Sequence, residues 1–564
     1  MKYSVKNIIS QAANDITLTD RDFITEGGEG KIYGKAGVIY KIYHEPQKMI
    51  PLSKIEELAC LNQDNLLRPQ DVLYHGTVPV GFTMRWIKDT VPLCKLFTND
   101  FWSRFNVNAA NIASLVERIA ADIKYVHSKK CLIVDGNEMN YLVGTLGLTI
   151  PYFIDVDSWQ TPHFPATAIM PSIRDYHTKV FSELTDWFSF GIIAVQLFIG
   201  IHPFKGKHPD YLRSDLERRM RENISIFHKG VQLPACTRDM DTIPQTYKDW
   251  FIRLFEKGER LPPPGMKAPI SVIAKTRVLR AAAKFIIELL QEYPSDIVRV
   301  DHQGTIFTKD TVHVGRVKYD LDASADIIYT NTGAPVVAKI ANSYLVLYDL
   351  KTGKSFMLKI MATDKMVVDG QLFALSGDHL VGIVLKELGW TTVAAIETSW
   401  NILPQATKLY NGVAFQDILG VPYITLPYRT PQGWPACMIK PIPELKGYRI
   451  LEAKHDAGVV MLVAFKNNQY DKIVLKINSD YTKYHFMINS DVDYHIPNFI
   501  TLDNGLVVSI NDEGQVLTFS RQLDRDAVTV IEDPAITFDM KLAKKGVGVY
   551  LRHGSKLYKF SMKK

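Results

Sequence analysis

The chain of 564 residues is too long for one hydrophobic core, and its length predicts about two to four domains. With 46% hydrophobic and 22% charged residues, its composition excludes wholesale disorder; a formal charge of +6 without a block of five Lys or Arg gives no argument for a nucleic-acid partner. The five cysteines (Cys60, Cys94, Cys131, Cys236, Cys437) are scattered and form no Cys-x-x-Cys pair, which points to a reducing cytoplasm without a disulfide framework or structural zinc.

The first residues, MKYSVKNIISQAANDITLTD, lack the continuous apolar core of a signal peptide, and 1–19 read as an N-terminal extension. TEGGEGKIYGKAGVIYKIY (25–43) predicts two strands around a turn, behind a segment carrying Gly27, Gly28 and Gly30. Glycines there let backbone N–H groups approach a polyphosphate. No helix follows directly, so the segment matches neither the Rossmann fingerprint nor the Walker loop. Lys41 stands in the apolar second strand, where a lysine is costly to bury unless it meets an anion such as phosphate.

Residues 108–130 carry a helical pattern. LIVDGNEMNYLV (132–143) then sets Asp135 and Asn140 five apart in an apolar frame, and YFIDVDSWQ follows with Asp155 and Asp157. WFSFGIIAVQLFIGIHPF (187–204) imitates a membrane span, but Gln196 interrupts it and Gly200 and Pro203 close it, so a buried core helix is expected. RLPPPGMKAPI (260–270) is a Pro-rich breaker, and RVLRAAAKFIIELLQEY (277–293) reads as an amphipathic helix leading to a boundary near 294. Beyond it, helical periodicity gives way to hairpins such as SYLVLYDLKTGKSFMLKI and GVVMLVAFKNNQYDKIVLKI. Roughly 270 residues at about 40 per unit suit a β-propeller of six or seven four-stranded blades, with a pair of β-sandwiches as the alternative.

The order and spacing of these elements resemble the protein-kinase family over residues 20–262. The resemblance implies a bilobal α+β domain that binds ATP and Mg²⁺. In it, Gly27, Gly28, Gly30 and Ile32 cover the phosphates, and Lys41 pairs with them. PLSKIEELACLNQDNLLRP resembles the regulatory helix, whose Glu57 or Glu56 would pair with Lys41; Glu57 is preferred. GFTMRWIKD resembles the hinge, with Met84 as gatekeeper and Trp86 and Ile87 on the adenine side. Asp135 would accept the substrate hydroxyl proton, while Asn140 and Asp155 would hold magnesium. Asp186 would brace the catalytic loop. IMPSIRDYH resembles the end of the activation loop, with Pro171 kept and Ser172 in place of its glutamate. The Asp-Val-Asp-Ser-Trp-Gln form and the ending YKDWFIRLFEKGERLPPP are similar to bacterial and phage kinases of the stress-response, von-Willebrand-associated type.

Ile133 and Val134 replace the family's His-Arg pair, which mainly braces and regulates, so activity independent of activation-loop phosphorylation is expected. Asn137 stands where many such kinases carry Lys, Ile39 narrows the adenine side, and Asp157 replaces a glycine. Asp157 and His127 read as structural, and His163 shows no metal-ligand spacing. The resemblance implies an active cytoplasmic Ser/Thr protein kinase whose β domain recruits a protein substrate or partner, with no nucleic acid and no membrane. The alternatives are an inactive scaffold and a small-molecule phosphotransferase.

Overall fold

The computed structural model describes residues 1–7, 13–265, 282–321, 325–388 and 391–563. The described residues divide into two compact units. Those up to 265, without 20–27, form the first; 20–27 and those from 282 onward form the second.

The first unit begins with strands β1 (Lys2–Asn7), β2 (Ala13–Thr17), β4 (Gly30–Lys35), β5 (Val38–Tyr43), β6 (Asp71–His75) and β7 (Val78–Arg85); β3 (Phe23–Glu26) falls among the residues of the second. Helix α1 (Leu52–Leu58) lies between β5 and β6. The strands run in the order β2-β1-β6-β7-β5-β4, each pair antiparallel. Residues 1–19, expected as an extension, instead supply two strands of this sheet, because β1 finds the free edge of β6 from Ser4–Tyr74 to Asn7–Asp71. β4 and β5 form the expected hairpin. Ala36 and Gly37 at its tip both have positive φ (50° and 79°), the backbone form whose twist matches the flanking strands.

Next come β8 (Thr90–Pro92), α2 (Asn99–Phe105), α3 (Ala109–Ser128), β9 (Tyr141–Gly144), β10 (Pro151–Phe153), α4 (Glu183–Ile199), α5 (Leu216–Glu222) and α6 (Gln245–Phe255). Asn108 caps α3 reciprocally with Asn111, which starts the helix where its apolar stripe begins. The imitated membrane span is α4, and every residue of it from Thr185 to Ile199 is buried. Its rings pack edge-on against α6, as Phe188 does on Phe255 at 5.6 Å. No helix among the described residues is long and apolar enough to cross a membrane.

In the second unit the described strands fall into seven four-stranded antiparallel sheets. Six are consecutive, at 297–319, 326–361, 364–401, 407–441, 449–489 and 499–531; the seventh joins β11 (Phe285–Glu292) to three strands between 541 and 562. Apolar clusters join neighbouring sheets: Ile328, Val336 and Leu345 of one with Leu372 and Ile383 of the next. The seventh sheet packs on 499–531 through Phe285, Phe560 and Ile510, and on 297–319 through Leu557, Ile297 and Ile306. β11 corrects the helix expected over 277–293, of which 277–281 lie outside the described residues. Seven register pairs to Lys556–Met562, with the Phe285 ring packed at a tilt on Phe560 at 4.6 Å, outweigh the helical periodicity of that segment.

Candidate functional site

The loop 132–140 is held mainly through its backbone. Asp186, in the first turn of α4 and buried, accepts the N–H of Ile133 on Oδ2 (2.9 Å) and that of Val134 on Oδ1 (2.8 Å). His127, at the end of α3, sets Nε2 2.8 Å from the same carboxylate, and Trp187 lies edge-on to its ring. Leu132 exchanges both backbone bonds with Gln160 at 3.0 Å, which ties the loop to the segment after Asp155. Val134 adopts φ 62°, a left-handed conformation that is strained for a β-branched residue. The two flanking bonds to Asp186 hold it there. No side-chain polar group of residue 133 or 134 is needed for this bracing, which explains how Ile and Val occupy those positions.

Asn140 Nδ2 donates to the Asp135 carbonyl at 2.9 Å, closing the loop on itself, and the Asn140 carbonyl accepts the N–H of Ile154 at 3.0 Å. That bond sets Asp155 beside Asn140. Asp135 Oδ1 accepts the N–H of Met170 at 2.8 Å, so the segment 170–175 is docked on the loop. The same segment is anchored from α4 by Ser189, which donates to the Ile173 carbonyl at 3.0 Å, and by His202 Nε2, 2.7 Å from the Ser172 carbonyl. Its far end is fixed by Asp175, 2% exposed in its side chain, in a bidentate pair with Arg260 at 2.5 and 2.7 Å. Sequence reasoning missed Asp175 and Arg260; a lone Asp three past Ser172 carries no local signal of a partner 85 residues on.

Lys41 is buried in β5 directly opposite Ile32 of β4. Its Nζ lies 2.7 Å from Asp157 Oδ2 and 2.9 Å from Glu29 Oε2, over the rings of Tyr43 (5.1 Å) and Phe82 (5.7 Å). Burial opposes its charge, yet the Asp157 carboxylate holds the amine above the ordinary lysine range. Tyr43 also donates to Asp157 at 3.3 Å. The expected Lys41–Glu57 pair does not form. Glu57 turns to His163 Nδ1 at 2.6 Å, because the nearer, buried Asp157 satisfies the lysine. Asp157, expected to be structural, is thus the buried ion-pair partner of Lys41. Asp155 is partly buried; that burial, then the charge of Asp157, pushes its carboxyl up to about 7.

Gly27 precedes the bend at Gly28 and Glu29 that leads into β4, and Glu29 is the bend residue that reaches Lys41. A Cβ on Gly30 would stand 2.2 Å from the Ile42 carbonyl oxygen, so this glycine is demanded by strand approach whatever else it does. Gly81 in β7, unremarked in the sequence, meets the same limit against the Lys41 carbonyl at 2.0 Å and sets the lysine strand tightly on its neighbour. Met84 pairs with Ile39 across β7 and β5 and packs on Tyr43, Ile55, Val72 and Phe82. Trp86 continues from β7, its N–H on the Gly37 carbonyl at 3.1 Å, and Ile87 follows it. Lys41, Asp155 and Asp157 thus form one charged group, and the bond from Ile154 to Asn140 joins it to the Asp135 loop.

Among the described residues no three His, Cys, Asp or Glu side chains are arranged to hold a metal ion. Asn140, with its Oδ1 uncommitted by the Nδ2 bond, and Asp155, a carboxylate short of positive charge, are hard oxygen donors of the kind magnesium takes two of beside phosphate. No protein-family model matches the chain, and no curated protein matches it.

Proposed function

We propose that the first unit is an ATP-dependent Ser/Thr protein kinase domain of bilobal α+β form. The observation that carries this reading is the Asp186 clamp. One buried carboxylate accepts two successive backbone N–H groups of the loop and so presents Asp135 and Asn140 beside Asp155, without help from side chains at 133 and 134. Phosphoryl transfer is mostly positioning and charge neutralisation, and that is what this arrangement supports.

In this reading Lys41 binds the nucleotide phosphates from β5. Met84, Trp86 and Ile87 border the adenine, and Gly27, Gly28, Gly30 and Ile32 cover the phosphates. Asn140 and Asp155 hold Mg²⁺, which when bound neutralises phosphate charge. Asp135 orients the acceptor hydroxyl and takes its proton, its second oxygen kept in place by the Met170 N–H bond to the first. The docked segment 170–175 offers a shelf for a protein substrate. The second unit fits a seven-bladed β-propeller. Seven four-stranded sheets pack in sequence, and the last, built from both ends of the unit, packs on the first as a ring closure does. It serves as the partner- or substrate-recruiting domain, and the protein acts in the cytoplasm.

A second reading, a pseudokinase scaffold, is favoured by one observation: Lys41 is fully engaged by Asp157 and Glu29. Phosphotransfer from radiolabelled ATP with Mg²⁺, followed by mapping of the phosphorylated residue, separates the two. Asp135→Ala and Asp155→Ala are expected to lower transfer by about a thousandfold while leaving the fold intact. Equal activity in the wild type and both variants refutes the kinase reading, and no transfer by the wild type selects the scaffold.

A further inference from the structure

Helix α1 buries one stripe, made of Lys54, Ile55 and Leu58. Ile55 packs against Tyr43 and Phe82, the two rings that flank Lys41 Nζ. Lys54 is 6% exposed; its backbone N–H donates to the Pro51 carbonyl, and its ammonium has no hydrogen-bond or ion-pair partner among the described residues. The acidic groups that act on it are Asp157, Asp155, Cys131 and Glu29, in that order, and burial depresses its pKa against their pull. A largely buried ammonium without a partner is destabilising unless an anion comes to it. The carboxylate that acts on it most strongly, that of Asp157, is held by Lys41 at 2.7 Å. The group therefore has two buried lysines competing for one buried carboxylate.

We propose that Lys54 is a positioning residue of the phosphate site: when Lys41 leaves Asp157 and Glu29 for the phosphates of a bound nucleoside triphosphate, Lys54 takes the released Asp157 carboxylate. This rests on the reading of the group as a nucleotide phosphate site. The exchange removes the cost of freeing Lys41, because Asp157 is never left buried without a cation. It also assigns a role to the aspartate that stands in place of the family's glycine. Asp157 is a relay between two lysines, empty-handed in neither state. Glu57, turned to His163 at the surface, is not needed for it.

The test uses the full chain, with calorimetric Mg-ATP binding and steady-state transfer kinetics for the wild type, Lys54→Met, Lys54→Arg, Asp157→Asn and the double variant Lys54→Met/Asp157→Asn. Lys54→Met removes an unpaired charge and is expected to melt at or above the wild-type temperature; Lys54→Gln, read by the same criteria, replaces it if it melts lower. The expected result is about tenfold weaker Mg-ATP binding and a raised KM with kcat changed less than about threefold, the size of a coupling between adjacent charges. Lys54→Arg recovers most of that loss. In the Asp157→Asn background, Lys54→Met adds less than about twofold, because its partner is gone. Wild-type affinity and KM in Lys54→Met overturn the proposal. So does an undiminished tenfold loss in the Asp157→Asn background, which assigns Lys54 to the phosphates directly. If the wild type binds no Mg-ATP, the nucleotide-site reading fails and the inference falls with it; if it binds and transfers normally while Lys54→Met is silent, only the inference falls.

Discussion

The loop at 132–140 and helix α1 border the same charged group, but they are held by different means. The loop hangs on backbone N–H groups received by Asp186, so exchanging the side chains at 133 and 134 leaves its anchorage intact. Helix α1 meets the group through side chains, and there the ion pairs divide: Lys41 pairs inward with Asp157 and Glu57 pairs outward with His163. An anchor made of main chain tolerates sequence change; an anchor made of charged side chains rearranges with it.

The sharpest break of that contrast is Asp186→Ala. It strands two buried N–H groups and the His127 ring at once, and is expected to cost about 3–5 kcal/mol in denaturant unfolding and to abolish transfer. A cost under about 1 kcal/mol would show that the loop is held elsewhere. Next, Asp157→Asn removes the buried partner of Lys41 and leaves it only the exposed Glu29, an expected loss of about 2–3 kcal/mol. Glu57→Ala is the matched control. It breaks a pair with His163, whose side chain is 81% exposed, and is expected to leave the denaturation midpoint unchanged. Equal costs for the two would erase the distinction between inward and outward pairing.

The smallest effect concerns Asp122 of α3, which accepts from Asn65 Nδ2 at 2.6 Å; Asn65 in turn holds the start of β10 through the Pro151 carbonyl. Burial pushes the Asp122 carboxyl from its ordinary 3.8 up to about 6, so between about pH 4 and 6 the folded chain binds the extra proton. Stability therefore falls as pH rises through that window. Asp122→Asn is expected to flatten this slope and, after allowance for solvent screening, to change stability by about 1 kcal/mol at pH 7. An unchanged slope in the variant would assign it to another group.

Much of the frame was legible in one dimension. The α3 and α4 helices, the β4–β5 hairpin and the hairpins at 344–361 and 459–477 follow from local periodicity and turn residues, which neighbours a few positions away determine. The bracing role of Asp186 came from the family resemblance, and its two bonds to the loop N–H groups fit that expectation. The misreadings share one cause. Residues 2–7 and 285–292 are strands only because distant strands offer unpaired edges at 71–74 and 556–562. Glu57 lost Lys41 to Asp157 across 116 residues, and the Asp175–Arg260 pair spans 85.

Spacing alone therefore carried the elements, the charged residues available to them and the loop with Asp135 and Asn140. Which carboxylate each lysine meets, which strand completes the seventh sheet and which amine stays unpaired are set by tertiary contact. The physical reason is that hydrophobic periodicity is a property of adjacent residues, whereas an ion pair in a buried site goes to the nearest carboxylate that desolvation leaves available, wherever it lies in the chain.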